Sequence, residues 1–306
     1  MISEVMELSR AARSIAKYPN DLVVEFGCFF GLSTLALIRG LAEIQDKEIG
    51  GTAVSRLHVY DSFRCKSSGS FSEYVTSAAQ RGESLHLLES IDDWVRFRQN
   101  FDDWSGGIQP NPLHVHEGEL ASLVVCPGRV SLLHLDLPKF WEELAPILLA
   151  YGSQLRPGGV ILLQDFFHVW SGTLMLSVLK LIELGKSTPT RSVHTTLICR
   201  INEPIYESDI ASITVWLETC GTLDFDSFFS ENLPRSKRLR TEFSDVPSIA
   251  FLQFVKEHIS VVEFEKEFEK LQNNPKLFRS NRFLDSLKEV EERNWSVRNG
   301  YLFDHE

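Results

Sequence analysis

Hydrophobic and polar positions along the chain follow two alternating rhythms. Five short apolar runs, Leu22–Phe26, Leu57–Tyr60, Leu113–His116, Val130–Leu135 and Val160–Leu163, are too short for helices and are bounded by turn signals. That pattern is the mark of buried strands. Between them the spacing is helical. Residues 3–17 put Val5, Leu8, Ala12 and Ile15 on one side and stop at Tyr18-Pro19-Asn20. Further helices are predicted from Ser33 to about Ile44, from about Lys139 to Tyr151 and from Thr173 to Leu184, with a closing strand near Val193–Cys199. Strands alternating with helices predict parallel βαβ units and a doubly wound, mostly parallel α/β sheet. In such sheets ligands bind beyond the carboxyl ends of the strands, so the chemistry belongs to the residues that follow each strand.

Two segments break the rhythm. Residues 62–111 are too long for a single crossover, and Lys66-Ser67-Ser68-Gly69-Ser70 reads as a mobile loop. After about residue 205 the alternation fades, and Phe264, Phe268 and Leu271 form a helical stripe within Val261–Leu271. The expectation is an α/β domain over 1–205 and a mostly helical extension over 206–306, serving as a cap or in a homo-oligomer. Composition narrows the partners. A net charge of −11 over 306 residues argues against nucleic acid, whose phosphates require a basic surface. The basic run Arg235, Lys237, Arg238 and Arg240 lies in an acidic half and reads as a solvated loop. No stretch of about 18 uncharged apolar residues exists, so no membrane span is expected. Glu4 and Glu7 precede any apolar run, unlike a secretory signal. Five cysteines without a Cys-x-x-Cys pair suggest reduced thiols in a cytoplasm.

The turn after the first strand reads Glu25-Phe26-Gly27-Cys28-Phe29-Phe30-Gly31-Leu32-Ser33-Thr34. It is not Gly-x-Gly-x-x-Gly, and no Lys follows its last glycine, so dinucleotide and phosphate-loop fingerprints are both missing. Gly27 and Gly31 either let a ligand reach the helix N-terminus or permit close strand–helix packing. Asp61 at the second strand's tip suits the two hydroxyls of a ribose, or else caps the following turn. A carboxylate at Glu25 suits a ligand carrying positive charge, such as a sulfonium. Together the two acids point to S-adenosylmethionine (SAM).

At these residues the chain resembles the class I SAM-dependent methyltransferases, and more narrowly the macrocin O-methyltransferase family, which methylates sugar hydroxyls on natural products. The resemblance is carried by Val24-Glu25-Phe26-Gly27 with Gly31 and Ser33, and by Tyr60-Asp61-Ser62-Phe63. Leu133-His134-Leu135-Asp136, Leu155-Arg156-Pro157-Gly158-Gly159-Val160-Ile161 and Asp165-Phe166 follow in the same order. It spans about residues 20–200 and implies a Rossmann-like fold. It also implies that Glu25, Gly27 and Gly31 line the methionine end of SAM, that Asp61 binds the ribose, and that Gly118 and Glu119 flank the adenine. Cys28, Ser33 and Ser62 join them as cofactor-binding positions. For Glu117 and Glu119 a solvated helix start is an equal reading.

Methyl transfer needs an acceptor oxygen held in line with the methyl and the sulfur, and assistance in removing the proton of a sugar hydroxyl. Asp136 and Asp165 end the fourth and fifth strands and are candidate catalytic residues and ligands of a Mg2+ ion. The family, as the resemblance has it, is metal-dependent and reads His-x-Asp-x-Asp-x-Tyr here. This chain has Pro138 in place of the second acid, and Gln164 before Asp165. His168 is the candidate base, with helix capping as its other reading. His134 is expected to bond within the sheet. His114 and His116 share one strand face without an evident third ligand, which favours structural roles. Phe166, Phe167 and Trp170 suit either an acceptor wall or the core. The function expected is O-methylation of a small-molecule hydroxyl, with a SAM- or nucleoside-binding protein lacking catalysis as the alternative.

Overall fold

The run Leu22–Phe26 forms β1, in which every residue but the first is buried, and the rest of the main sheet is built outward from it. The computed structural model describes residues 2–15, 17–48, 56–66, 77, 89–91, 94–106, 113–166 and 172–219. Before β1 lies helix α1 (Ile2–Ser14), and after it α2 (Leu32–Glu48). There follow β2 (Leu57–Asp61), β3 (Arg64–Lys66), β4 (Glu89–Ile91), β5 (Trp94–Arg96), α3 (Arg98–Gly106), β6 (His114–Glu117) and β7 (Val130–Leu135). The chain continues through α4 (Trp141–Tyr151), β8 (Leu155–Leu163), α5 (Gly172–Glu183), β9 (Ser187–Val193), β10 (Thr196–Ile201) and α6 (Glu207–Thr219).

The main sheet has seven strands in the order β6-β2-β1-β7-β8-β10-β9. The pairs β1–β2, β1–β7 and β2–β6 are parallel, whereas β9 and β10 form an antiparallel hairpin. This is the expected doubly wound, Rossmann-like architecture. The long insertion carries structure of its own, a three-stranded antiparallel sheet in the order β3-β5-β4 followed by α3. Residues 67–70 and 220–306 lie outside the described residues, and with them the serine-rich loop, the basic run and the Phe264–Leu271 stripe. Of the extension, α6 is described. No helix among the described residues is long and apolar enough to cross a membrane.

The chain divides into two compact units, Met1–Leu137 with Gln154–Ile161, and Pro138–Ser153 with the residues from Leu162 onward. In the first, Leu8, Ala11 and Ala12 of α1 and Ile15 just after it are buried at helical spacing, as are Leu37 and Leu41 of α2. The helices approach so closely that a β-carbon at Gly40 would lie 2.3 Å from the Ser9 carbonyl oxygen. The Leu155–Gly159 motif is a packing device here. Arg156 forms an ion pair with Asp21 and stacks 4.4 Å over the Tyr18 ring, and Gly158 turns at φ +83 beneath the Tyr18 hydroxyl.

In the second unit, the Trp141 indole donates to the Thr214 hydroxyl at 3.0 Å, and the Trp141 backbone N–H donates to Thr173 Oγ1 at 3.3 Å. Those two bonds tie α4 to α6 and α5. The expected strand over Val193–Cys199 is instead interrupted by a reversal at His194 and Thr195, which makes two strands of the segment. Pro189 hid the first of them, because a residue without an N–H is excluded from a strand interior unless that strand lies at an edge. Here β9 is the edge strand, and the register slips beside the Cys199–Pro189 pair.

The Gly40 contact reverses an ordinary helix effect. Alanine in a helix interior gains about 1 kcal/mol over glycine, but overpacking against backbone costs typically 1–3 kcal/mol. Gly40→Ala is expected to lower the urea midpoint, a net loss of up to about 2 kcal/mol.

Candidate functional site

Asp61 ends β2 and is almost fully buried. Its Oδ2 accepts the backbone N–H groups of Cys28 and Phe29, both at 2.9 Å, and its Oδ1 accepts that of Phe63 at 2.7 Å. Each peptide it holds belongs to a strained turn. Gly27 has φ +82, Phe29 +51, Gly31 +88 and Phe63 +51, a region that residues with a β-carbon rarely adopt. Hydrogen bonds to a carboxylate are about twice as strong as neutral ones, which compensates for that strain. Burial pushes the Asp61 carboxyl above its ordinary range, against the three N–H donors that favour its charged form. The Cys28 thiol is likewise pushed well up, first by burial and then by the charges of Asp61 and Glu25.

The glycines of this turn serve packing. A β-carbon at Gly27 would lie 2.7 Å from the backbone nitrogen of Leu137, and one at Gly31 would overlap the Trp104 ring at 1.9 Å. Glu25 also faces inward. At zero exposure, one of its oxygens takes the Thr34 hydroxyl at 2.6 Å and the other meets His134 Nδ1 at 3.1 Å. The expected in-sheet bond of His134 is therefore present. Its partner is the carboxylate that joins β1, β7 and the first turn of α2. Ser33 sits half-buried in that same turn.

A cavity of about 110 Å³ opens at the carboxyl ends of β1, β2 and β6. Phe26 stacks on Tyr60 with ring centres 4.7 Å apart, and Tyr60 stacks on His116 at 4.3 Å, giving a continuous aromatic surface. Asp61, Glu117, Gly118 and Glu119 supply its polar lining, and Leu123, Val124 and Leu137 its apolar side. The Tyr60 hydroxyl donates to the Val124 carbonyl at 2.9 Å, fixing the loop above it. Glu119 meets Arg64 at 2.5 Å, while Glu117 meets Arg96 at 2.9 Å and Arg98 at 3.2 Å. Ser62 lies beside the clamp, half-buried. Of the residues expected to bind a cofactor, Asp61, Gly118 and Glu119 thus share one cavity. Phe26, Tyr60, His116 and Val124 were not anticipated. The period of two in β2 and β6, which sends residues 58, 60, 114 and 116 to one face, was the available signal.

The other expected residues are placed differently. Asp136 follows β7 in the first unit, its backbone N–H donating to the Phe26 carbonyl at 2.9 Å. Asp165 lies in the second unit at φ +58, with Lys139 Nζ 2.9 Å from one carboxylate oxygen and the Thr195 hydroxyl 3.2 Å from the other. Phe166 is fully buried and belongs to the core. Phe167, His168 and Trp170 lie outside the described residues. The donor set at Asp165 does not fit a magnesium ion. Both oxygens are engaged, and the ammonium of Lys139 opposes a second cation beside it.

His58, His114 and His116 line one face of β2 and β6. His58 stacks on His114 at 4.5 Å, and its Nδ1 lies 3.1 Å from His116 Nε2. Burial, and then the neighbouring His114 and His116, press His58 down to about 4; His116 is lowered by burial and by His114.

No family model matches the chain, and no curated protein matches it. Solved structures similar to it include the O-methyltransferase NovP, with TM-score 0.46 and 14% identity over 66% of this chain and 81% of that chain. The apo TDP-rhamnose 3′-O-methyltransferase CalS11, an enzyme of calicheamicin biosynthesis, gives 0.41 and 13% over 65% and 79%. TomG from Streptomyces achromogenes, an O-methyltransferase of tomaymycin synthesis in complex with SAM, gives 0.34 and 15% over 64% and 79%.

Asp61→Ala removes an acceptor from three buried N–H groups at once. At about 1.5–3 kcal/mol for each bond to a charged group, offset by the burial of the charge, a net loss of about 3 kcal/mol is expected in chemical denaturation. Asp61→Asn, which retains one acceptor oxygen, is expected to lose less. His58 gives a pH signature. The unfolded chain takes up its proton near pH 6.5 and the folded one only near 4, so stability is full above 6.5 and falls as the pH drops towards 4. Between pH 7 and 5, in the presence of a chelator, the native protein is expected to lose about 2 kcal/mol more than His58→Asn. Equal slopes would remove His58 as the cause.

Proposed function

We propose that the chain is a SAM-dependent O-methyltransferase acting on a hydroxyl of a small molecule, a sugar or glycosylated natural product. The observation that carries this reading is the cavity at the carboxyl ends of β1, β2 and β6, where an aromatic surface adjoins Asp61 and Glu119. The row of ring edges of Phe26, Tyr60 and His116, with Leu123, Val124 and Leu137, suits a purine, and an acid at the strand tip suits the hydroxyls of a ribose. The strand order supports the same reading. A dinucleotide fold runs 3-2-1-4-5-6, whereas here the last strand is inserted antiparallel before the sixth, as in the Rossmann-like methyltransferase fold.

SAM, when bound, supplies a methyl group already activated by a positively charged sulfur. Tyr60 and His116 would hold the base, and Asp61, fixed by three backbone donors, would hold the ribose through its remaining acceptor capacity. Gly118 and Glu119 would close the adenine side. Glu25 lies too deep for direct contact in this conformation and would act by shaping the turn from behind. The hydroxyl proton must still leave, and Asp136, Asp165 and His168 are the candidates to take it. We assign the cation beside Asp165 to Lys139, so that transfer proceeds without magnesium at that carboxylate. A cytoplasmic homo-oligomer remains part of the proposal.

Titration calorimetry with SAM and with its demethylated product tests the reading. Stoichiometric binding is expected, weakened at least tenfold in Asp61→Asn and in Tyr60→Ala. Failure to bind either compound overturns it. With binding established, labelled methyl transfer to a panel of glycosides separates an enzyme from a non-catalytic binder. Full activity in a chelator is expected, together with a loss of at least tenfold in Lys139→Met. Activity abolished by the chelator and restored by magnesium would overturn the metal-free assignment.

A further inference from the structure

The face of the sheet beside the cavity gathers three donors, of which the methyltransferase reading uses only the ring of His116. His58 is buried on β2, His116 is half-buried on β6, and Cys126 is half-buried on the loop leading into β7. Their ligating atoms all lie within 4.8 Å of one another. His58 Nδ1 is 3.1 Å from His116 Nε2, and Cys126 Sγ is 3.7 Å from that same nitrogen.

The two separations from His116 Nε2 match edges of a metal tetrahedron. With zinc–nitrogen bonds of about 2.0–2.1 Å and zinc–sulfur bonds of about 2.3 Å, tetrahedral angles put two nitrogens about 3.3 Å apart and a nitrogen and sulfur about 3.6 Å apart. We infer that His58, His116 and Cys126 form a site for a borderline-soft divalent cation, zinc by preference. Two imidazoles and a thiolate favour zinc over magnesium or calcium, which take oxygen ligands. Binding converts the Cys126 thiol to a thiolate and releases one proton to solvent. Three protein ligands leave a fourth tetrahedral position for water. The stacked His114 ring fixes the plane of His58.

The register of β2 and β6 makes the site. It pairs His58 with His114 and Tyr60 with His116, sending all four rings to one face. The loop that bears Val124 and Cys126 crosses that face, and the Tyr60 bond to Val124 holds it there. A bound ion would tie this loop to both strands and so fix one wall of the cavity. The inference stands apart from the methyltransferase reading, because its test needs neither SAM nor turnover.

The reduced, demetallated protein is titrated with Co2+ alone. One equivalent is expected to give a tetrahedral cobalt spectrum with a thiolate-to-cobalt charge-transfer band that Zn2+ abolishes. Cys126→Ser is expected to lose that band, and His116→Gln to weaken binding at least tenfold. In the native sequence, one equivalent of Zn2+ is expected to slow alkylation of Cys126 at least tenfold, read by mass spectrometry, while buried Cys65 is unaffected. This measurement stands even where a variant folds poorly. Absence of the band, its persistence in Cys126→Ser, or alkylation indifferent to Zn2+ would overturn the proposal.

Discussion

One carboxylate organises the turns at the carboxyl ends of β1 and β2. Asp61 takes two N–H groups from the turn after β1 and one from the turn after β2, joining segments more than thirty residues apart in sequence. The left-handed backbone at Phe29 and Phe63 persists because that anion holds it in place. Burial alone favours the neutral acid, yet three donors aimed at it favour the charge, so the position is a contest in which geometry matters more than composition. Part of the cavity lining adjoins this residue. Phe26 and Tyr60 immediately precede the two clamped turns, and Gly118 donates its N–H to the Asp61 carbonyl.

A second buried anion works beneath the first. Glu25 is wholly enclosed, but its two oxygens are taken by Thr34 and His134, so the charge is satisfied where an unpaired one would be costly. The two acids divide the labour. Glu25 fixes the helix that follows the turn, and Asp61 fixes the turn itself. Gly27 and Gly31 then allow Leu137 and Trp104 to approach more closely than a side chain would permit. In this arrangement the acid and glycines near the turn act as architecture, and the aromatic lining of the cavity is supplied by Phe26, Tyr60 and His116.

The second unit follows the same logic with a different cation. Asp165 sits in a strained turn with Lys139 and Thr195 as its partners, at the place where the sequence resemblance suggested a metal ligand. Pro138 offers no carboxylate, and Lys139 next to it brings an ammonium to Asp165. In the first unit, nitrogen and sulfur donors gather around His58, His116 and Cys126.

Local patterning in the sequence determined the strands β1, β2, β6 and β7 and the helices around them, because each is a short apolar run or a 3.6-residue stripe readable without its neighbours. It also singled out Asp61, Asp136 and Asp165 as strand-end acids. It misread β9, where Pro189 is tolerated because the strand is at an edge, and edges are a property of the assembled sheet. It did not show that Glu25 points inward, that Lys139 reaches Asp165, or that Cys126 closes on two histidines. Those facts depend on register and on contacts between residues 10 to 109 positions apart. Periodicity is a local property of the chain, whereas the partner of a charge is chosen only when distant strands are aligned.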